Sequence, residues 1–170
     1  MGAKNGIMFK TAVSLEEAGK VQIVALDKTG TITNGEPKVT NILPAGEITE
    51  DELLRLAIAL EAKSEHPLAR AIMEEAKERR QMPQEVSDFQ ALPGNGLTAR
   101  FEGSLLYGGN YSFISKKAPV PDSVRRQAEA LAENGKTPLF FAKDQSLLGI
   151  IAVADVIKED SPQAVRELQN

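Results

Sequence analysis

The chain has 170 residues, 42% hydrophobic and 26% charged, with a formal net charge of −4. That length holds one ordinary domain, or a small domain plus part of another, and the composition is that of a globular protein. With no basic excess to displace counterions from a phosphate backbone, nucleic acid is not an expected partner. The absence of cysteine excludes disulfides and thiolate sites, and a single histidine argues against a zinc or copper cage. The longest apolar run, residues 147–154, has strand length and not the ~20 residues a membrane helix needs. These residues are therefore expected to be soluble, cytosolic and monomeric.

In chain order, residues 5–20 carry Gly6, Gly19 and mixed polarity and read as an approach segment. Val21, Ile23, Val24 and Leu26 give an apolar run over residues 21–26 that predicts a buried strand. It ends on Asp27-Lys28-Thr29-Gly30-Thr31. A carboxylate at the carboxyl end of such a strand stands where open α/β sheets hold ligands. Asp27 could there attack a phosphoryl group, and Thr29, Gly30 and Thr31 supply hydroxyls and backbone N–H groups for phosphate oxygens. For an isolated Asp-Lys pair, a strand end followed by a polar turn would suffice.

Gly35-Glu36-Pro37 breaks the composition and marks a boundary. Residues 38–43 predict a short strand. Thr49 and Glu52 form a capping box for a helix over residues 50–62, with Leu53, Leu56, Ala57 and Leu60 inward. Ser64-Glu65-His66-Pro67 interrupts it, and Pro67 suits the first turn of a second helix facing the core with Ala69, Ile72, Met73 and Ala76. A β-hairpin follows over residues 97–107, flanked by Gly94, Gly96, Gly108 and Gly109. A helix over residues 121–134, with Gly135 as its C-cap, leads to a hairpin over residues 137–154. Ser161-Pro162 opens a last helix with Val165 and Leu168 inward. The expected class is α+β: an antiparallel sheet flanked by helices, set between two pieces of an α/β sheet.

The pentapeptide from Asp27, continued by Ile32-Thr33-Asn34-Gly35-Glu36-Pro37, is similar to the phosphorylation signature of P-type ATPases. With Ser64-Glu65-His66-Pro67 the chain resembles their heavy-metal-transporting branch, the copper pumps in particular, over nearly its whole length. The resemblance implies a nucleotide-binding domain over residues 35–148. Residues 1–34 and 149–170 would then be incomplete pieces of a haloacid-dehalogenase-like phosphorylation domain. It implies ATP and Mg2+, with Asp27 as the phosphorylated nucleophile beside Lys28 and Thr29, and Asp27 and Thr29 as part of a magnesium site. It places Glu61 on the adenine and His66 as an orienter of the nucleotide, with Gly94 and Gly96 against the purine. Gly109 and Asn110 would lie near the ribose and phosphates, and Asp155 and Lys158 at the hinge between the domains.

These roles are chemically reasonable. A carboxylate accepts from the adenine amino group, a neutral imidazole stacks or donates, and glycines let a purine lie against backbone. Local capping by Glu61 and His66, and ordinary turns at the glycines, explain the same residues one at a time. Thr29 discriminates further. Phosphatases of the same fold place a second aspartate there to hydrolyse the aspartyl-phosphate, and a threonine cannot take a proton from water at neutral pH.

The expectation is a cytoplasmic part of an integral-membrane copper(I) exporter, partnered by the transmembrane and actuator domains of the same pump. A zinc/cadmium pump and a haloacid-dehalogenase-type phosphatase are the alternatives. Because the family's later Gly-Asp motif and lysine lie beyond Asn170, these residues alone are expected to bind ATP without turnover.

Overall fold

The computed structural model describes residues 6–169; residues 1–5, which include the first residue of the approach segment, and Asn170 lie outside them. Six strands form one antiparallel sheet in the order β1-β6-β5-β4-β3-β2. They are β1 (Thr33–Pro44), β2 (Ser87–Leu92), β3 (Gly96–Phe101), β4 (Ser104–Gly109), β5 (Thr137–Lys143) and β6 (Ser146–Ile157). The helices are α1 (Ala12–Ala18), α2 (Glu50–Glu61), α3 (Pro67–Glu78), α4 (Tyr111–Ile114), α5 (Asp122–Glu133) and α6 (Ser161–Gln169).

The two hairpins follow from local chemistry. Phe101 pairs with Ser104 across Glu102 and Gly103, both at positive φ, the two-residue turn whose twist matches its strands. Lys143 pairs with Ser146 across Asp144 and Gln145, of which Asp144 takes positive φ. Side-chain alternation then sorts the core into two layers. Phe141 and Ile151 face α2 and α3, where Leu53, Ile58, Leu60 and Ile72 are fully buried. Phe140 and Ile150 face Phe113, Ile114 and Ala128 of α4 and α5 on the other side. Helices thus cover both faces of the sheet's middle, as an α+β domain requires.

The helix ends follow the sequence closely. Thr49 accepts from the Glu52 amide at 3.2 Å, but the Glu52 carboxylate turns to Arg55 at 2.8 Å, so only half of the capping box forms. At the end of α5, Gly135 (φ +74) and Lys136 donate backwards to Ala132 and Leu131, closing a Schellman motif.

Three expectations need correction. Residues 21–26 form no strand, and Val21, Ile23, Val24 and Leu26 are 43–87% exposed. A strand needs a partner, and residues 150–154 are already paired on both sides, in β6 between β1 and β5. The short strand expected over residues 38–43 is instead the twelve-residue β1, since its pairing with β6 continues from Thr33↔Ile157 to Pro44↔Gly149. In α6, Leu168 is 56% exposed and Val165 only half-buried, because no second layer covers that helix among the described residues.

Candidate functional site

Two clusters of the expected residues are separately assembled. The larger is a cavity of about 770 Å³ between the α2–α3 connector and the β2–β3 and β4–α4 turns. Glu61, His66, Gly94, Gly96, Gly109 and Asn110 all line it. Phe89, Leu97 and Leu139 supply an apolar wall; the sequence pattern assigned Leu97 and Leu139 to strands without a role, and gave Phe89, now in β2, no element.

Glu61 is the last residue of α2 and is only 6% exposed. Burial pushes its carboxyl up to about 7, with the Ser64 hydroxyl pulling more weakly the other way. His66 is the N-cap of α3: its Nδ1 accepts from the Leu68 amide at 3.2 Å. In the neutral ring that bond leaves the proton on Nε2, so a donor remains for a ligand. The capping and ligand readings of His66 are therefore compatible.

The glycines also have a reason in the backbone itself. Gly94 (φ +75) turns the chain from β2 into β3 behind Pro93, with open space where a Cβ would stand. Gly96 and Gly109 face each other across β3 and β4. A Cβ on Gly96 would fall 2.1 Å from the Gly108 carbonyl oxygen, and one on Gly109 would fall 2.4 Å from that of Asn95. Their bareness serves backbone approach first. Asn110 ties this corner together: its Oδ1 caps α4 at the Phe113 amide, and its Nδ2 donates to the Gly94 carbonyl at 2.9 Å.

The second cluster holds the Asp27 loop. Asp27 is exposed and accepts from the Lys28 amide through Oδ1 at 2.8 Å. Lys28 extends to the end of α5, where a Cβ on Gly135 would stand 3.7 Å from its ammonium. Gly30 takes φ +76, folding residues 28–32 into an irregular turn. That turn is clasped by the end of β6. Asp155 accepts from the Thr33 hydroxyl and, at 3.0 Å, from the Gly35 amide. Lys158 donates to the Gly30 carbonyl at 3.1 Å, and Ser161 to that of Ile32 at 2.8 Å. Thr33, fully buried, and Ser161 are the members of this clasp that the sequence reading left without a role.

The family model for haloacid dehalogenase-like hydrolases matches residues 21–170, and the chain belongs to that family. Within it, the similar proteins are metal pumps. The chain is 40% identical to a copper-transporting P-type ATPase of Rhizobium leguminosarum bv. viciae, over 99% of this chain and 20% of that protein. It is 39% identical to a probable copper-importing P-type ATPase A of Enterococcus hirae, over 99% of this chain and 23% of that one. Among solved structures, a zinc-transporting PIB-type ATPase in the E2.Pi state superposes with a TM-score of 0.85 at 36% identity, over 99% of this chain and 27% of the other. The N-domain of a copper-transporting P-type ATPase matches at a TM-score of 0.57 and 25% identity, over 69% of this chain and 98% of that domain. The chain thus spans about a fifth of the length of the curated relatives it matches. No helix among the described residues is long and apolar enough to cross a membrane.

Proposed function

We propose that this chain is the ATP-binding part, with its phosphorylation loop, of a heavy-metal-translocating P-type ATPase that exports copper(I). The observation that carries the reading is the cavity that gathers Glu61, His66, Gly94, Gly96, Gly109 and Asn110, chosen from separate stretches of sequence. Residues 35–148 are the nucleotide unit, flanked by pieces of the phosphorylation unit. β6 crosses that boundary and carries the chain to Asp155. As a cytoplasmic part of the pump, it would work against the transmembrane and actuator domains.

In the proposed reaction an Asp27 oxygen attacks the γ-phosphorus of ATP. One oxygen–phosphorus bond forms, the bond to the β-phosphate oxygen breaks, and ADP leaves with the electron pair. Lys28 offers a cation beside the loop, and Thr29 offers no base to activate water against the acyl-phosphate. The intermediate therefore lasts long enough to drive transport.

Magnesium favours oxygen donors, which Asp27 and Thr29 can supply. Among the described residues, however, no group of three His, Cys, Asp or Glu side chains could hold a metal ion. The donor set is incomplete, so no step is derived through the ion. The same gap supports binding without steady turnover by these residues alone.

Relatives named as copper pumps favour copper as the cargo, while the superposition on a zinc pump keeps zinc/cadmium as the second reading. Measuring which metal stimulates ATP hydrolysis by the full-length pump decides between them. For the site itself, calorimetric titration with ATP is expected to show binding that His66→Gln weakens about tenfold, the worth of one hydrogen bond to the ligand. Unchanged affinity in a folded variant would contradict the role of His66.

A further inference from the structure

Resting on the reading of this cavity as a purine site, we infer that Glu61 selects adenine as a neutral carboxylic acid, and that its ionised form favours guanine. The placement of the side chain is the ground for it. Glu61 closes α2 at the carboxyl end of the helix dipole, where a second negative charge is unfavourable. It is buried, yet it faces the cavity. Lys63, Glu65 and His66 are the other titratable residues lining that cavity, all from the connector after α2; β2, β3, β4 and β5 contribute none to the lining. None of the three neutralises Glu61. The Lys63 ammonium donates to the Val86 carbonyl at 2.9 Å, Glu65 carries the same sign, and His66 spends Nδ1 on α3. The raised proton affinity of Glu61 agrees, since burial and not a neighbouring charge is its largest cause.

The two protonation states present different patterns. A neutral carboxyl sets one donor beside one acceptor. That matches adenine, whose exocyclic amino group donates beside a ring nitrogen that accepts, in the way an Asn or Gln amide pairs with that base. A carboxylate offers two acceptors and opposes the adenine ring nitrogen with a lone pair. It matches the adjacent ring N–H and amino donors of guanine instead.

The test is calorimetric titration of the 170-residue chain with ATP and with GTP, at pH 6 and pH 8, alongside Glu61→Gln. The glutamine is a permanent analogue of the neutral acid. Phosphate ionisation is common to both nucleotides and cancels in their affinity ratio; His66 is common to both proteins. The wild-type preference for ATP over GTP is expected to fall at least tenfold between pH 6 and pH 8, while Glu61→Gln keeps its preference within twofold. A wild-type ratio that does not move, with ATP still bound, overturns the inference and leaves the purine site standing. So does a folded Glu61→Gln that no longer binds ATP at pH 6. Absence of binding by either nucleotide at both pH values overturns the purine site and the inference together.

Discussion

At the carboxyl end of α2, an ionised Glu61 would be buried without a counter-charge, and burial raises its proton affinity accordingly. The consequence reaches folding as well as binding. With the folded group at about 7 and its ordinary value at 4.5, the native state holds more protons than the unfolded chain between those values. Stability from this group is therefore present at low pH and lost as pH rises through about 7, by up to about 3 kcal/mol. Urea unfolding at pH 5 and pH 8 is expected to show that loss in the wild type and not in Glu61→Gln; parallel profiles would contradict it. His66 has two jobs that different substitutions separate. Asparagine is a good N-cap, so His66→Asn should keep α3 within about 0.5 kcal/mol and still lose the Nε2 donor and with it ATP affinity. Loss of stability together with affinity would mean that capping is its main work. Both residues were legible as site candidates through the resemblance of Glu61 and Ser64-Glu65-His66-Pro67 to the heavy-metal pumps, since helix capping explains each of them locally. The raised proton affinity of Glu61 was not, since its burial is set by tertiary packing that no local pattern records.

At the scale of elements, the close approach of β3 and β4 rests on Gly96 and Gly109, and their spacing was visible while their purpose was not. Sequence records that a side chain is missing, not what fills the space. Gly96→Ala would drive its methyl into the Gly108 carbonyl of β4 and is expected to cost about 3 kcal/mol or more, read as a lower urea midpoint. Gly94→Ala meets no atom and bears only the strain of a positive φ, about 1 kcal/mol. Equal losses would show that the close approach is not what holds Gly96. The clasp on the Asp27 loop is a second element-level device. Asp155→Ala removes the acceptor of both Thr33 and Gly35, so amide exchange in residues 28–35 should quicken while α2 and α3 keep their protection. Exchange unchanged in the loop would place its restraint elsewhere. Hairpins and caps could be read in advance because their signals lie within a few residues. Residues 21–26 could not, because the same apolar run is a strand with a partner and exposed chain without one.

For the whole molecule, the sheet divides two features: its β2–β3–β4 side carries the cavity, and its β1–β6 side carries the clasp on the Asp27 loop, at opposite ends of one antiparallel sheet. Class and the order of the longer helices and the two hairpins were legible from periodicity and turn chemistry, and the family signature from Asp27 to Thr31; α1, β2 and α4 were not. Which strand borders which was not, since β1 and β6 meet across more than a hundred residues of chain. The proposed absence of steady turnover belongs to this scale too. Magnesium-dependent ATP hydrolysis by the 170-residue chain, abolished by Asp27→Asn, would contradict it. Whether the cavity holds ATP is read from amide chemical shifts during titration with ATP. Saturable shifts concentrated at Ser64, His66, Gly94, Gly96, Gly109 and Asn110 are expected. Saturation with those amides unmoved, or with the shifts gathered on α5 and β1 instead, would contradict it.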